Sequence, residues 1–582
     1  MTGPMFVRAA RVADVRVTGC LAVQVSGHTL ALFAQGERVH AVDNRCPHMG
    51  FPLDRGTLHD GVLTCHWHHA RFDLASGGTF DQFAGDVRAF PTEIRDGEVW
   101  VDLAPHEDPA AYQRARLRDG LERNIPLVVA KAVVALASDD GSAAGPFQIG
   151  LEFGARYRQA GWGQGLTIHT CMMNLLPVLD AGDRPRALCH GLAAVARDCD
   201  GMPPRFDLRP LPSVPSDFQM VRRWFRQFIE VRDAEGAERC IVSAVRGGAD
   251  ARMMGDLLFA AATDHRYIQI GHVLDFTNKA FDALDAAGWN YAEPVLASLA
   301  SGYAAADRME ESNEWRHPVD LVEIVERAFE GLPAALEAGG RHRRDWDDRA
   351  HLVPVLLGDD PADIARALTD SLRDGATPAH LAGTVAYAAA LRIARFPQTN
   401  EFGDWDTALH SFSFANAVHQ AVRRVGSPEL LRGVFDAAMG VYLDRFLNVP
   451  PAHLPDPTAA GVEPAAVLRE FLVLLDHQQQ VQDAGRLVAT YLASGGNPDP
   501  LLATLGHALL REDRNFHTIQ AVEAAVQQYR SLRGTPEGTH VLVAAARYLA
   551  AHAPTVRAEG QTYQIAHRLF RGERLFDGAN AQ

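Results

Sequence analysis

The stretch that decides the fold of the N-terminal region is Cys46-Pro-His-Met-Gly50, which is followed, with sixteen residues between His48 and Cys65, by Cys65-His-Trp-His68. Each segment offers one thiolate and one imidazole, so the candidate metal ligands are Cys46, His48, Cys65 and His68. A zinc knuckle also uses two Cys and two His, but it pairs Cys with Cys and His with His at short spacing. The mixed pairs therefore argue against a zinc knuckle.

The ligand pattern and its flanks resemble the Rieske proteins of the soluble ferredoxin and oxygenase type. The flanking residues that carry this resemblance are Pro47, Gly50, Trp67, Phe72, Asp73, Gly77 and Gly78. The resemblance implies a [2Fe–2S] cluster with the two thiolates on one iron and the two imidazoles on the other. The chain departs from the family at His66, where Pro is usual, and at His69, where Gly is usual.

The other cysteines of the chain indicate the redox state of the cellular compartment. The loops lack the extra cysteine pair that forms a disulfide clasp in Rieske proteins of respiratory membrane complexes. Five further cysteines are scattered without a CxxC pair: Cys20, Cys171, Cys189, Cys199 and Cys240. We expect them to be reduced, and because residues 1–15 contain no apolar run typical of a signal peptide, we expect a cytoplasmic protein.

Length and local pattern predict an α+β multidomain protein. A chain of 582 residues is too long for one core. From Phe6 to Leu103 short alternating segments predict a small antiparallel β domain, and after an acidic, Pro-containing stretch at 105–109 a helical periodicity continues to the C-terminus. We therefore predict a Rieske domain at residues 1–106 and a large all-α domain at residues 107–582.

Composition limits the partners. The net charge is −16, with acidic and basic residues interspersed, which argues against nucleic acid. No run approaches the roughly eighteen apolar residues needed to span a bilayer, so we expect no membrane anchor. A G-x-G-x-x-G fingerprint that opens a βαβ unit is missing from the sequence, which predicts an external electron donor, either a reductase or a ferredoxin.

The helical region contains an internal repeat. His272, Phe276, Asn278 and Gly288 recur 138 residues later as His410, Phe414, Asn416 and Gly426. Each copy also closes on a second histidine, at His317 and at His453. The pattern predicts that residues of about 250–320 and 380–455 form equivalent helical units that pack about a pseudo-twofold axis.

The histidines of the repeat are candidates for a second redox site. A single histidine among apolar residues is usually a core residue, but duplicated histidines joined to an electron carrier are also compatible with a metal or haem site. A flavin or purely organic cavity and purely structural histidines are the alternatives. The candidates are His272 and His410 as catalytic residues and metal ligands, His169, His317, His453 and His517 as further ligands, and Glu314 as a carboxylate. Glu314 and His317 have the E-x-x-H spacing of di-iron bundles. We expect Asp406, near the start of its helix, to act as an N-terminal cap.

Two functions are compatible with this organisation. The first is a Rieske-dependent, oxygenase-like oxidoreductase that passes electrons to an active site in the helical domain, where a second metal such as iron, or a haem, acts on a small molecule. The second is a non-catalytic electron relay or redox sensor whose helical domain is an interaction scaffold. The D-x2-H-x4-H motif of the Rieske non-haem oxygenases does not occur, so their catalytic domain is not expected.

Overall fold

The computed structural model describes residues 5–81, 83–104, 108–139, 143–213, 217–341, 346–456, 463–573 and 575. The chain forms two compact units, one of residues 1–149 with 559–582 and one of residues 150–558. The boundary predicted between residues 106 and 107 lies outside the described residues. Among the described residues, no helix combines the length and the apolar composition needed to cross a membrane.

The first unit begins with short antiparallel strands in three sheets. The strands are β1 Phe6–Arg11, β2 Cys20–Val25, β3 His28–Gln35, β4 Arg38–Asp43, β5 Thr57–His59, β6 Val62–Thr64, β7 Arg71–Asp73, β8 Ala89–Phe90, β9 Thr92–Arg95 and β10 Glu98–Asp102. The sheet orders are β1-β10-β9, β2-β3-β4-β8 and β5-β6-β7. This confirms the predicted small antiparallel β region at the N-terminus.

The β region has two hydrophobic cores, and one of them includes the candidate ligands. Cys46 and Cys65 are buried in the same cluster as Phe33, Leu63 and Phe72. The two loops that carry the candidate ligands follow β4 and β6, so the strands on either side fix where each loop starts. The cysteines are thus held by packing as well as by backbone hydrogen bonds.

The described residues after the β region form twenty-four helices, which confirms the predicted all-helical region. The first unit contains α1 Val12–Thr18, α2 Pro109–Glu122, α3 Pro126–Asp139, the start of α4 Ala144–Tyr157, and α25 Ala558–Phe570. The second contains α5 Gln164–Leu175, α6 Arg184–Asp198, α7 Phe218–Glu230, α8 Ala234–Arg246, α9 Ala251–Ala262, α10 His272–Ala287, α11 Ala292–Ala297, α12 Ala300–Ala305, α13 Asn313–Arg316, α14 Leu321–Gly339, α15 Arg349–Leu356, α16 Pro361–Arg373, α17 Pro378–Ala394, α18 Phe402–Val425, α19 Leu431–Leu443, α20 Pro464–Leu474, α21 Val481–Ala493, α22 Pro498–Leu510, α23 Phe516–Leu532 and α24 Pro536–Ala551. The internal duplication stays a prediction.

Three helices of the second unit, α10, α18 and α23, pack against one another through polar contacts in their buried interface. Lys279 Nζ on α10 donates to Glu523 Oε2 on α23 at 2.7 Å, and both side chains are almost fully buried. Gln528 on α23 donates to Asn416 on α18 at 2.7 Å. A buried polar group costs free energy unless it is paired, so these contacts fix the register of the three helices.

Candidate functional site

The two ligand loops of the β region have the same backbone design. Cys46 N donates to Phe51 O at 2.8 Å, and Gly50 N donates to Cys46 O at 2.8 Å. In the second loop, Cys65 N donates to Ala70 O at 2.8 Å, and His69 N donates to Cys65 O at 3.0 Å. Each cysteine therefore opens a tight turn that closes four residues later.

The fourth residue after each cysteine has a left-handed backbone. Gly50 has φ 81° and His69 has φ 61°. This conformation favours glycine, because a Cβ crowds the following carbonyl at a cost of roughly 1–2 kcal/mol. The equivalence of the two turns explains why glycine is usual in the family at the position of His69.

The four candidate ligands converge between these loops. The His48 and His68 rings lie 4.8 Å apart between centroids, and the Cys46 thiol is hydrogen-bonded to the Cys65 sulfur. That hydrogen bond, together with the amides of Trp67 and His68, lowers the pKa of Cys65. A thiolate is the form that binds metal.

His48 also fits a metal-binding role. Burial, with smaller contributions from His68 and Lys131, lowers the pKa of His48 to about 4, so its ring is neutral near pH 7. Within the described part of the chain, buried His48 Nδ1 has no hydrogen-bond partner. A neutral imidazole with an unpaired nitrogen, beside two thiol sulfurs, suits the mixed ligand set of a Rieske cluster.

A second cluster of imidazoles lies in the helical unit. The nitrogens of His272, His410 and His517 lie within 4.8 Å of one another. His410 Nε2 is 3.1 Å from His517 Nε2, and the His272 and His410 rings are 4.9 Å apart between centroids. We call these three residues the histidine triad. Three nitrogens bound to one metal ion at about 2.1 Å each lie roughly 3–4 Å apart, so the triad is close to ligand geometry.

Burial keeps two triad members neutral. It lowers the pKa of His272 to about 3, with further contributions from His410 and His517, and it lowers the pKa of His410 to about 4. His272 Nδ1 is buried and has no hydrogen-bond partner among the described residues. Neutral imidazole nitrogens are the form that binds iron, copper or zinc.

A carboxylate supports the third member of the triad. Asp406 Oδ2 lies 3.2 Å from His517 Nδ1, and Asp406 Oδ1 accepts a hydrogen bond from Tyr548 Oη. A carboxylate on the far nitrogen of a histidine fixes the ring orientation and the tautomer, as in many metal sites. The spacing of Asp406 and His410, one turn apart on α18, is the sequence signal for this arrangement.

The expectation that Asp406 is a helix cap was wrong. Helix α18 begins at Phe402, so Asp406 lies one turn inside it. The first turn is instead closed by Asp404, whose carboxylate accepts from Glu401 N at 3.0 Å. Asp406 is thereby free to face His517.

His272 stands at the start of α10, directly after an unusual turn. Tyr267, Gln269 and Ile270 have φ of 41°, 51° and 52°, and Gly271 has φ 85°. Consecutive left-handed non-glycine residues store strain, which often occurs at functional sites. Gln269 N donates to Asp307 O at 2.7 Å, and Asp307 N donates back to Gln269 Oε1 at 3.0 Å. This pair of hydrogen bonds holds the turn that positions His272.

A cavity of about 200 Å³ opens beside His272. Its lining is mainly apolar and includes Trp162, Phe276, Leu299 and Tyr303. A small, mostly apolar cavity with one edge formed by a candidate metal ligand is the usual form of a small-molecule site.

The other histidines predicted from the sequence do not join the triad. His169 is fully buried on α5, where its ring lies against Gly150 and Gly191. Glu314, His317 and His453 are exposed. Helix α13, which carries Glu314, is only four residues long, so the E-x-x-H spacing does not form a face directed into the helical core.

Comparison with known proteins bears on the N-terminal region. Residues 5–91 match the family described as the Rieske [2Fe-2S] domain. This segment is a Rieske [2Fe–2S] domain, homologous to the ferredoxins and oxygenases of dioxygenase systems, and it implies a [2Fe–2S] cluster. The match ends at residue 91.

Individual relatives agree with this assignment. The ferredoxin component of the naphthalene 1,2-dioxygenase system of Pseudomonas putida is 27% identical over 100 residues, which cover 17% of this chain and 96% of the ferredoxin. The vanillate O-demethylase oxygenase subunit of Pseudomonas sp. (strain ATCC 19151) is 40% identical over 72 residues, 11% of this chain and 22% of the subunit. The chain thus spans about a fifth of the demethylase subunit. Among solved structures, the ferredoxin of carbazole 1,9a-dioxygenase from Nocardioides aromaticivorans IC177 is 27% identical, covers 17% of this chain and 98% of that chain, and has a TM-score of 0.16.

Proposed function

We propose that this protein is a Rieske-dependent oxidoreductase in which the cluster supplies electrons to a metal ion bound by the histidine triad. The single observation that carries the proposal is the convergence of His272, His410 and His517 in a helical unit joined to a Rieske domain. A Rieske cluster transfers electrons but makes no bonds itself, so a second centre in the same chain is its simplest electron acceptor.

The ligands of the cluster belong to the same proposal. Cys46 and Cys65 would hold one iron, and His48 and His68 would hold the other. The support is the buried, hydrogen-bonded pair of sulfurs and the neutral imidazole of His48 beside them.

The triad has a preferred chemistry. Three imidazole nitrogens suit iron, copper or zinc, and of these iron and copper can accept an electron from the cluster. When bound, such an ion would activate oxygen or an organic substrate. The chain's own residues would hold the ion and orient the ring of His517 through Asp406.

The substrate would be small and largely apolar. The cavity beside His272 has a volume of about 200 Å³ and is lined by aromatic and aliphatic side chains. A cavity of this size and lining would bind a compact, largely hydrophobic molecule. We infer that electrons reach the Rieske domain from an external reductase or ferredoxin, in a cytoplasmic setting.

The proposed repeat agrees with the helix packing around the triad. A Cβ built on Gly255 of α9 would lie 3.5 Å from Phe281 of α10, and one on Gly383 of α17 would lie 3.2 Å from His419 of α18. Phe281 and His419 are 138 residues apart, the offset of His272 and His410. Gly255 and Gly383 are 128 residues apart, so the two copies differ by ten residues between the paired helices. With that difference, the two close approaches support a duplication over about 250–320 and 380–455.

The reoxidation of the reduced cluster tests this function. Full-length protein is reduced with dithionite, mixed with oxygen, and followed by visible absorption with and without a panel of small aromatic compounds. We expect at least one compound to accelerate reoxidation in the wild type, and the His272→Ala/His410→Ala variant to lose this acceleration while its Rieske spectrum is unchanged. Equal acceleration in the two proteins would instead favour an electron relay with a scaffold domain.

A further inference from the structure

Helices outside the Rieske match of residues 5–91 contact the first ligand loop. Lys131 Nζ on α3 donates to His48 O at 2.7 Å and also to Pro47 O. Arg45, next to Cys46, donates to Leu569 O on α25 at 3.2 Å. A Cβ on Gly50 would come within 2.8 Å of Leu569. Thus α3 and α25 contact the loop that carries Cys46 and His48.

Among these contacts, the charge of Lys131 has the largest effect on the electrostatics of the ligand loop. Its Nζ reaches the peptide groups on both sides of the His48 Cα, and Cys46 is close enough to affect its charge. Among the described residues, Lys131 forms no ion pair with a carboxylate, so its charge is directed at the loop. Lys131 is also partly buried, and fewer waters screen its field than would screen that of a fully exposed lysine.

Reduction adds one negative charge to a [2Fe–2S] cluster. A fixed cation nearby stabilises the reduced form more than the oxidised form and raises the reduction potential. Hydrogen bonds to the peptides that flank a ligand also restrict how that ligand can move when the charge on the iron changes. Both effects depend on the position of Lys131 on α3.

We propose that Lys131 is a positioning residue that fixes the His48 loop and raises the reduction potential of the cluster. The helical extension would then set how readily the Rieske domain accepts an electron from its donor. This inference rests on the proposed ligand role of Cys46, His48, Cys65 and His68, but it does not require a metal ion in the histidine triad.

The test is the reduction potential of the full-length protein, measured by spectroelectrochemical titration at about pH 6. At this pH a lysine ammonium is charged. The variants are Lys131→Gln, which retains a hydrogen-bond donor without charge, and Lys131→Arg, which retains the charge. The matched control is Arg114→Met, because Arg114 on α2 forms a surface ion pair with Asp108, the residue before that helix, in the same unit.

We expect Lys131→Gln to lower the potential while the electron paramagnetic spectrum keeps its Rieske form, and we expect Lys131→Arg to remain close to the wild type. Arg114→Met should leave the potential unchanged. An unchanged potential in Lys131→Gln, or an equal fall in Lys131→Gln and Lys131→Arg, would overturn the proposal. Either result would leave the proposed function intact, whereas a wild type without a Rieske spectrum would refute the ligand assignment itself.

Discussion

His410 Nε2 lies 3.1 Å from His517 Nε2, although the two residues are 107 positions apart and belong to helices α18 and α23. A direct hydrogen bond between two neutral imidazoles uses one ring as donor and the other as acceptor. A metal ion between the same nitrogens would use both as ligands. With His272 as the third imidazole, the arrangement favours metal binding.

Asp406 should control metal affinity at the triad through His517. Asp406→Asn weakens the hydrogen bond to His517 Nδ1, and removing such a partner typically costs about 10–100-fold in affinity. The measurement is isothermal titration of chelator-treated protein with Fe²⁺ or Zn²⁺. The matched control is Asp404→Asn, which removes a carboxylate charge at the start of the same helix and should leave the metal affinity unchanged. An equal loss of affinity in the two variants would contradict the role of Asp406.

The turn at His69 should become more stable with glycine. His69→Gly removes a non-glycine residue from a left-handed conformation, which relieves a cost of roughly 1–2 kcal/mol in the folded state. Glycine is more flexible in the unfolded chain, and this offsets part of the gain. We expect a small rise in the temperature at which the cluster's visible absorption is lost. Gly50→Ala, at the equivalent place in the first loop, should lower it, since its Cβ would meet Leu569. A lower temperature for His69→Gly would refute the equivalence of the turns.

Stability should fall as the pH decreases below neutral. Burial lowers the pKa of His419 to about 4, although its hydrogen bond with Gln528 acts in the opposite direction. Between roughly pH 6.5 and pH 4 the unfolded chain therefore binds more protons at this residue than the folded chain does, so the free energy of unfolding falls as pH falls. Urea unfolding at about pH 7 and about pH 5 measures this loss. His419→Gln should reduce the difference between the two pH values, and an unchanged difference would rule out His419 as a cause.

The Rieske part was predictable from the sequence because its chemistry depends on local spacing. Four residues within two short loops define the ligand set, and alternating apolar residues predict the strands. The sequence also identified His272, His410 and His517 as candidates. It did not separate them from His317 and His453, since the exposure of those two depends on how distant segments pack.

The supporting features of the triad were harder to predict. The role of Asp406 depends on α18 starting at Phe402, and a shift of a few residues in a helix start changes a cap into an internal residue. The left-handed turn before His272 contains Tyr267, Gln269 and Ile270, which rarely adopt that conformation. Contacts with the distant Asp307 hold the turn, and no local pattern encodes them.

The most direct test of the central claim is the metal content of the full-length protein, purified without chelators and measured by elemental analysis beside its electron paramagnetic spectrum. We predict two irons per chain from the cluster and a further metal ion that is lost in His410→Ala/His517→Ala, with the Rieske signal unchanged. His317→Ala/His453→Ala, which removes two exposed histidines, should retain the additional ion. Only two irons per chain in the wild type, with the same content in both variants, would contradict a metal site at the histidine triad.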